Sequence, residues 1–199
     1  MDAVITGDII HSRQGNLTEW MDALKSALAQ QDPDQRRWDI YRGDSFQLVV
    51  RPHQALLSAF SIKASIRQTG TQDVRMAIGM GAIEYPAEKL SESQGEAFVR
   101  SGECFDQLKK ETLAIRSGTL DFDVPINIML SLAALTTDHW SPVVSRVIQT
   151  AIRHPDLNQQ ALASTLQKSQ SSVSEALKRG GYDQLMDLNA YFQAQLACL

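Results

Sequence analysis

Residues 157–179 read LNQQALASTLQKSQSSVSEALKR, and their spacing limits what this chain can build more than any other stretch. Leu157, Ala161, Leu162 and Leu166 recur at helical intervals, then stop at the polar break Gln167-Lys168-Ser169. A second helix follows, with Val173, Ala176 and Leu177 on its inner side and Lys178-Arg179 at its end. Ser169 suits the N-cap, because its hydroxyl can accept from the free N–H groups of the next turn. Gln170, Ser171, Ser172 and Ser174 then line an outer face of small polar groups. Two short helices with a tight break follow the helix-turn-helix plan, in which the second helix enters a major groove. An ordinary helical hairpin closing a small domain would have the same apolar spacing. The run of serines favours the first reading.

On that reading Lys168, Ser169, Gln170, Ser171, Ser172, Ser174, Lys178 and Arg179 contact DNA. The basic members meet phosphates and the small polar ones face base edges. The stretch resembles the helix-turn-helix of bacterial regulators in the pattern L-A-x-x-L-x-x-S-Q-S-x-V-S-x-x-L-x-R. It departs from that pattern at Gln167, where a turn glycine is usual, and at Lys168, where an apolar residue is usual. A glutamine in a left-handed turn costs roughly 1 kcal/mol relative to glycine, which predicts a turn of different construction.

Charge bears on the same question. The chain has 199 residues and a formal net charge of −4, which argues against a general nucleic-acid coat protein. Between residues 146 and 181, however, Arg146, Arg153, Lys168, Lys178 and Arg179 face only Asp156 and Glu175. That local excess lies where phosphates would be met. Cys104 and Cys198 are far apart in sequence and fit free thiols in a reducing cytoplasm better than a disulfide framework. No pair of Cys or His has zinc-ligand spacing. The N-terminus opens without a basic region or an apolar signal core, and no apolar run is long enough to predict a membrane span. A cytoplasmic location, with no membrane partner, is expected.

The first 116 residues alternate strand and helix signals. Strands are predicted at 1–10, 38–41, 45–50, 74–84 and 113–116, and helices at 17–30, 52–68 and 95–109. Loops are expected at 32–37, 69–73 and 86–93. The order is βαββαβ with a further helix and an edge strand. It predicts an α+β fold, a ferredoxin-like antiparallel sheet with helices on one side. Residues 121–125 read as a linker between a domain at 1–120 and one at 125–199. No strand signal remains after it, and helices are expected at 126–136, 142–153, 159–166, 171–179 and 182–196.

Two acids stand out in the first domain. Asp8 ends the first strand, and Asp44 sits at the tip of the hairpin formed by Arg42-Gly43-Asp44. In a βαββαβ sheet the hairpin lies beside the first strand, so the two carboxylates can converge. Converging carboxylates at strand ends suit Mg²⁺ carried by a triphosphate. Gly7 and Gly43 would let a ligand approach the backbone. The N–H groups from Ile9 through His11 to Ser12 face the way a phosphate requires, with Arg42 beside them. A nucleotide or other small phosphorylated ligand is therefore expected. The same Gly and Asp residues also make good turns, so turn chemistry alone could account for them.

Several segments resemble the class III nucleotidyl cyclase and diguanylate cyclase superfamily. Val4-Ile5-Thr6-Gly7-Asp8-Ile9-Ile10 is similar to its first metal-binding strand, and Gly43-Asp44-Ser45-Phe46 to its hairpin with the second metal carboxylate. Val74-Arg75-Met76-Ala77-Ile78-Gly79-Met80-Gly81 and Gly95-Glu96-Ala97-Phe98 are similar to a later strand and helix start. The resemblance covers roughly residues 1–115. It implies metal carboxylates at Asp8 and Asp44, but Val99 and Glu103 occupy the positions of the cyclase transition-state donors. A valine cannot donate, and a glutamate would repel developing negative charge. Arg100, one position away, could substitute only in a rotated helix.

The full arrangement resembles the SatD family of bacterial proteins, through Ile5–Arg13, Tyr41–Gln47, Ser93–Phe98 and the C-terminal Gln-Ser-Ser-Val-Ser. The expected function is a ligand-responsive, DNA-binding transcriptional regulator with a nucleotide-sensing domain, acting as a homodimer. Dimerisation through the N-terminal sheet, through residues 182–196, or through both is compatible with the sequence. The alternative is a metal-dependent nucleotidyl cyclase or nucleotidyltransferase whose C-terminal domain serves assembly.

Overall fold

The computed structural model describes residues 1–85, 90–197 and 199. Cys198 and part of the loop expected at 86–93 lie outside the described residues. The chain is mixed α+β, with an N-terminal five-stranded sheet and C-terminal helices. The strands are β1 (Asp2–Ile10), β2 (Trp38–Tyr41), β3 (Ser45–Val50), β4 (Asp73–Gly81) and β5 (Leu113–Arg116). Their order across the sheet is β2-β3-β1-β4-β5. The first three pairings are antiparallel, with Asp8 opposite both Ser45 and Arg75. Strands β4 and β5 run parallel, so the sheet is mixed where a fully antiparallel one was expected. A crossover helix between them returns the chain in the same direction, which a parallel pair requires.

Helices α1 (Leu17–Gln31), α2 (Ala55–Arg67) and α3 (Glu96–Gln107) accompany the strands. Ala3, Ile5 and Ile9 of β1 join Phe46, Leu48 and Val50 of β3 in the main core, against Trp20, Leu24 and Leu28 of α1 and the inner residues of α2. The opposite parity faces α3. Val4 and Val49 meet Ala97, and Thr6 Oγ1 lies 2.9 Å from Ser101 Oγ. Helices therefore cover both faces of the sheet, a correction to the one-sided expectation. Glycine makes the second layer possible. A Cβ on Gly79 would stand 2.2 Å from the Ser101 backbone nitrogen and 2.3 Å from the Ala97 carbonyl oxygen, so only hydrogen lets α3 lie this close.

Helix α4 (Leu120–Thr137) begins where a linker was predicted. Asp-Phe-Asp-Val-Pro reads as a break because proline disfavours helix before it and lacks a donor within it. Tertiary contacts override that preference. Phe122 and Ile126 are buried, and the Asp123 carboxylate accepts from the Ser117 and Gly118 N–H groups at 2.7 and 3.3 Å. The Asn127 side chain donates to the Ile115 carbonyl and accepts from its N–H, at 2.9 and 2.8 Å, and so occupies part of the free edge of β5. Against expectation, α4 is long and apolar enough, by length and composition, to cross a membrane. One of its faces packs in the core through Phe122, Ile126 and Leu130.

Four helices complete the chain: α5 (Pro142–Arg153), α6 (Gln159–Leu166), α7 (Gln170–Gly180) and α8 (Tyr182–Leu196). Their inner residues continue the same apolar cluster as the sheet, from Trp140 and Val147 to Val173 and Phe192. Helix α2 is buried along nearly its whole length because α1 and α5 both pack on it.

A buried cation joins the two halves. Lys63 of α2, 1 % exposed, holds Asp73 of β4 and Asp138 after α4, each at 2.8 Å. Thr112 Oγ1 accepts from Lys63 and donates to Asp138, at 3.3 and 2.7 Å. Arg67, one turn on, donates twice to the Trp140 carbonyl, at 3.0 and 2.8 Å. Removing one partner of such a group leaves charge buried without compensation, at a typical cost of 3–5 kcal/mol. Lys63→Ala is expected to lower unfolding free energy by about 3 kcal/mol, read as a lower urea midpoint.

Candidate functional site

Helices α6 and α7 meet at a turn built from three local choices. Asn158 caps α6 by accepting from the Ala161 N–H at 2.9 Å. Gln167 ends α6 in the left-handed region (φ 53°, ψ 45°), and the Lys168 N–H donates to the Ala163 carbonyl at 2.9 Å. Ser169 caps α7, its Oγ accepting from the Ser172 N–H at 3.2 Å. The turn thus has the ordinary left-handed geometry with glutamine in the glycine position. The expectation of a different construction is corrected: capping on both sides holds the strained residue.

Burial divides α7 as its spacing predicts. Val173, Ala176, Leu177 and Gly180 are buried. Lys168, Ser169, Gln170, Ser171, Ser172, Ser174, Lys178 and Arg179 are all exposed. Among them Ser169 Oγ bonds to the hydroxyls of Ser171 and Ser172, at 3.0 and 2.8 Å, and Arg179 lies 3.8 Å from Glu175. Arg146 and Arg153 of α5 are also exposed. Gly180 fixes how α7 sits on α5, since a Cβ there would stand 2.5 Å from Ile148. The Trp140 indole N–H donates to the Gly180 carbonyl at 3.0 Å, tying the end of α7 to the residue that Arg67 grips.

The second candidate is the corner where β1 ends beside the β2–β3 hairpin. Asp44 stands next to β1: its carbonyl accepts from the Ile9 N–H at 3.1 Å and its carboxylate from Ser12 Oγ at 2.6 Å. Asp8 lies on the α3 face of the sheet. There Arg75 pairs with it at 3.1 Å, and Ser45 Oγ donates to it at 3.5 Å. Arg75 in turn lies 4.8 Å from the centre of the Phe105 ring. The guanidinium gives Asp8 the positive neighbour that a metal would otherwise give. Tyr41, opposite Ser45, has its hydroxyl pKa raised, chiefly by burial.

Other expected ligand contacts fall differently. Gly7 faces the core: a Cβ there would stand 2.3 Å from the Phe46 ring, so packing and not ligand approach demands glycine. Ile9 is 2 % exposed and its N–H is already taken by Asp44. His11, Arg42 and Gly43 are exposed, and all three have positive φ, at 63°, 55° and 92°. His11 and Arg42 share with Gln167 the only left-handed non-glycine backbones among the described residues. Such strain gathers at functional sites.

On α3, Val99 is exposed and Glu103 pairs with Arg116 at 2.9 Å. Arg100 donates to the Met80 carbonyl at 2.7 Å and lies against Gly118, so it is fixed in a structural role. Cys104 is buried, its thiol pushed up to about 11 mainly by burial, and stays protonated at neutral pH.

Hydrogen bonds connect the corner to the helix pair. Gln72 donates to the Gln14 and His11 carbonyls at 2.6 and 3.5 Å. It precedes Asp73, which Lys63 binds. Sequence reasoning missed this link, although Lys63, a charge amid the mostly apolar and small residues of Ala55–Arg67, was a visible signal.

No family model matches the chain, and no curated protein or solved structure shows significant similarity to it.

Gln167→Gly should relieve the left-handed strain and raise stability by up to about 1 kcal/mol. An unchanged or lower urea midpoint would show that glutamine meets no penalty there.

Proposed function

We propose that this protein is a sequence-specific DNA-binding regulator whose α6–α7 pair is a helix-turn-helix. One observation carries the reading: α7 is capped, anchored by a buried apolar side, and leaves all eight expected contact residues exposed. Nothing in the fold requires serine or glutamine at those positions beyond the cap. The strand order further supports a ferredoxin-like sheet extended by β5, as in the cyclase-related and SatD-like arrangement that the sequence resembles. Such a regulator would act in the cytoplasm.

The corner at Asp8 and Asp44 is proposed as the sensor of a small phosphorylated ligand, with Mg²⁺-nucleotide the first candidate. The strained His11 and Arg42 on either side support this. A cation at Asp8 would have to displace Arg75. The cyclase alternative has less support, because Val99, Arg100 and Glu103 offer no free donor. Binding of Mg-ATP or Mg-GTP, followed by calorimetry, is expected for the wild type and lost in Asp44→Ala. Equal heats from both proteins would remove the corner from the proposal.

Selection of bound sequences from a random DNA pool tests the main reading. An enriched motif is expected, with affinity falling as salt rises. Arg179→Ala should weaken all sequences alike and reduce the salt slope by about one unit, as for a phosphate contact, whereas Gln170→Ala should relax sequence preference. No enriched motif and no salt dependence would leave α6 and α7 as a packing module.

A further inference from the structure

Helix α4 buries one face and leaves the other bare. Leu120, Val124, Ile128, Leu132 and Leu135 are 75, 53, 58, 61 and 72 % exposed. From Val124 to Thr137 the helix carries no charged residue. Soluble monomers seldom expose an apolar stripe of this length without a use for it. Apolar grooves flank it on both sides. One, of about 590 Å³, runs between α4 and α8 and is lined by Met129, Leu132, Leu185, Leu188 and Tyr191. The other, also about 590 Å³, runs between α4 and β5 past Leu113, Ile115, Val124 and Ile128.

We infer that this face binds a second copy of the chain, α4 against α4, about a twofold axis passing near Ile128. A ridge between two grooves fits itself: rotated by a half-turn, the ridge of one copy enters a groove of the other. Leu120, Val124, Ile128 and Leu132 form a single i, i+4 row. Rows of this kind interlock at a crossing angle of about −50°. The absence of charge along the stripe means that no like charges meet across the axis. A helix of 18 residues is ~27 Å long, and with its grooves roughly 20 Å wide. Each copy then covers on the order of 500 Å², about 1,000 Å² in total, which reaches the lower limit for a specific interface. A lipid surface fits less well. Interfacial helices carry Lys or Arg beside their apolar face, and α4 has neither, with Asp121 and Asp123 in its first turn.

The inference gains its purpose from the DNA-binding reading without depending on it for its test. A single helix-turn-helix makes few phosphate contacts, and two-fold dimers read two half-sites. The end of α4 meets the end of α7, where Thr136 lies beside Gly181. A dimer through α4 therefore fixes the distance between two copies of α7. It also replaces the sheet and α8 alone as the expected dimer contacts, with α8 contributing only the wall of one groove.

The test is run on the full chain without DNA. Sedimentation equilibrium at about 20 μM is expected to give twice the chain mass of 22.1 kDa. Ile128→Asp should give a monomer that keeps the wild-type circular-dichroism spectrum and a cooperative unfolding transition, since this side chain is largely exposed within one chain. Ile128→Cys, in a Cys198→Ser background, should form an intermolecular disulfide under mild oxidation, as a residue near a twofold axis must. A wild-type monomer, a dimer that survives Ile128→Asp, or a dimer that forms no disulfide at position 128 would each overturn the inference. So would a monomer that cosediments with vesicles of phosphatidylcholine and phosphatidylglycerol, which would assign the stripe to a membrane. A monomer that still selects a DNA motif overturns the interface alone, and a dimer that selects none overturns the DNA reading alone.

Discussion

Lys63 is the point on which the two halves of this molecule agree. Its ammonium reaches one carboxylate from the sheet, Asp73, and one from the helical half, Asp138. Buried ion pairs are a weak source of net stability, because desolvation offsets most of the attraction. Their geometry is nevertheless restrictive. Hydrophobic contacts between α2 and α5 would tolerate a small slide, whereas a lysine with two acceptors at 2.8 Å does not. Arg67 repeats the restriction on the Trp140 carbonyl, and Trp140 passes it to Gly180. The position of α7 is thereby tied to β4.

For the proposed regulator this tie would be the physical route between the proposed sensor and the proposed DNA contact. Gln72 holds the loop that follows β1, and its neighbour Asp73 holds Lys63. A ligand at the β1 corner can influence α7 only if it binds two arrangements of this network with different affinity. The polar character of the connection suits that requirement. Hydrogen bonds to the His11 and Gln14 carbonyls are exchanged more readily than close-packed side chains are displaced.

Helix α4 does two jobs with two faces. Phe122, Ile126 and Leu130 close the core between sheet and helices, and Asn127 occupies part of the edge of β5. The outer row from Leu120 to Leu135 has no covering partner among the described residues. The helix that joins the halves is also the one with apolar surface left over. In the inferred dimer the same element would join β5, α7 and the second subunit.

Local periodicity determined much of this protein. The bounds of β2, β3, β5, α5, α6 and α8 were legible because each segment carries a clear alternation or helical spacing and has a capping residue or turn at its ends. The exposed face of α7 was legible for the same reason. What the sequence could not settle were questions of what lies opposite. The two-sided sheet had a visible trace, since β1 has buried residues at both parities, Val4 as well as Ile5, but the partner of the second face, α3, is distant in sequence. Residues 121–125 looked like a linker because proline dominates local preference, and only burial of Phe122 and the bonds from Asp123 back to the Ser117 and Gly118 N–H groups turn them into helix. Gly7 looked like an opening for a ligand, yet it is there for Phe46, from a strand nearly forty residues on. Asp8 looked free for a metal until Arg75 was placed across from it. Local rules fix which segments form and which way their faces point. Long-range packing, where each side chain meets atoms remote in the chain, decided what those faces touch.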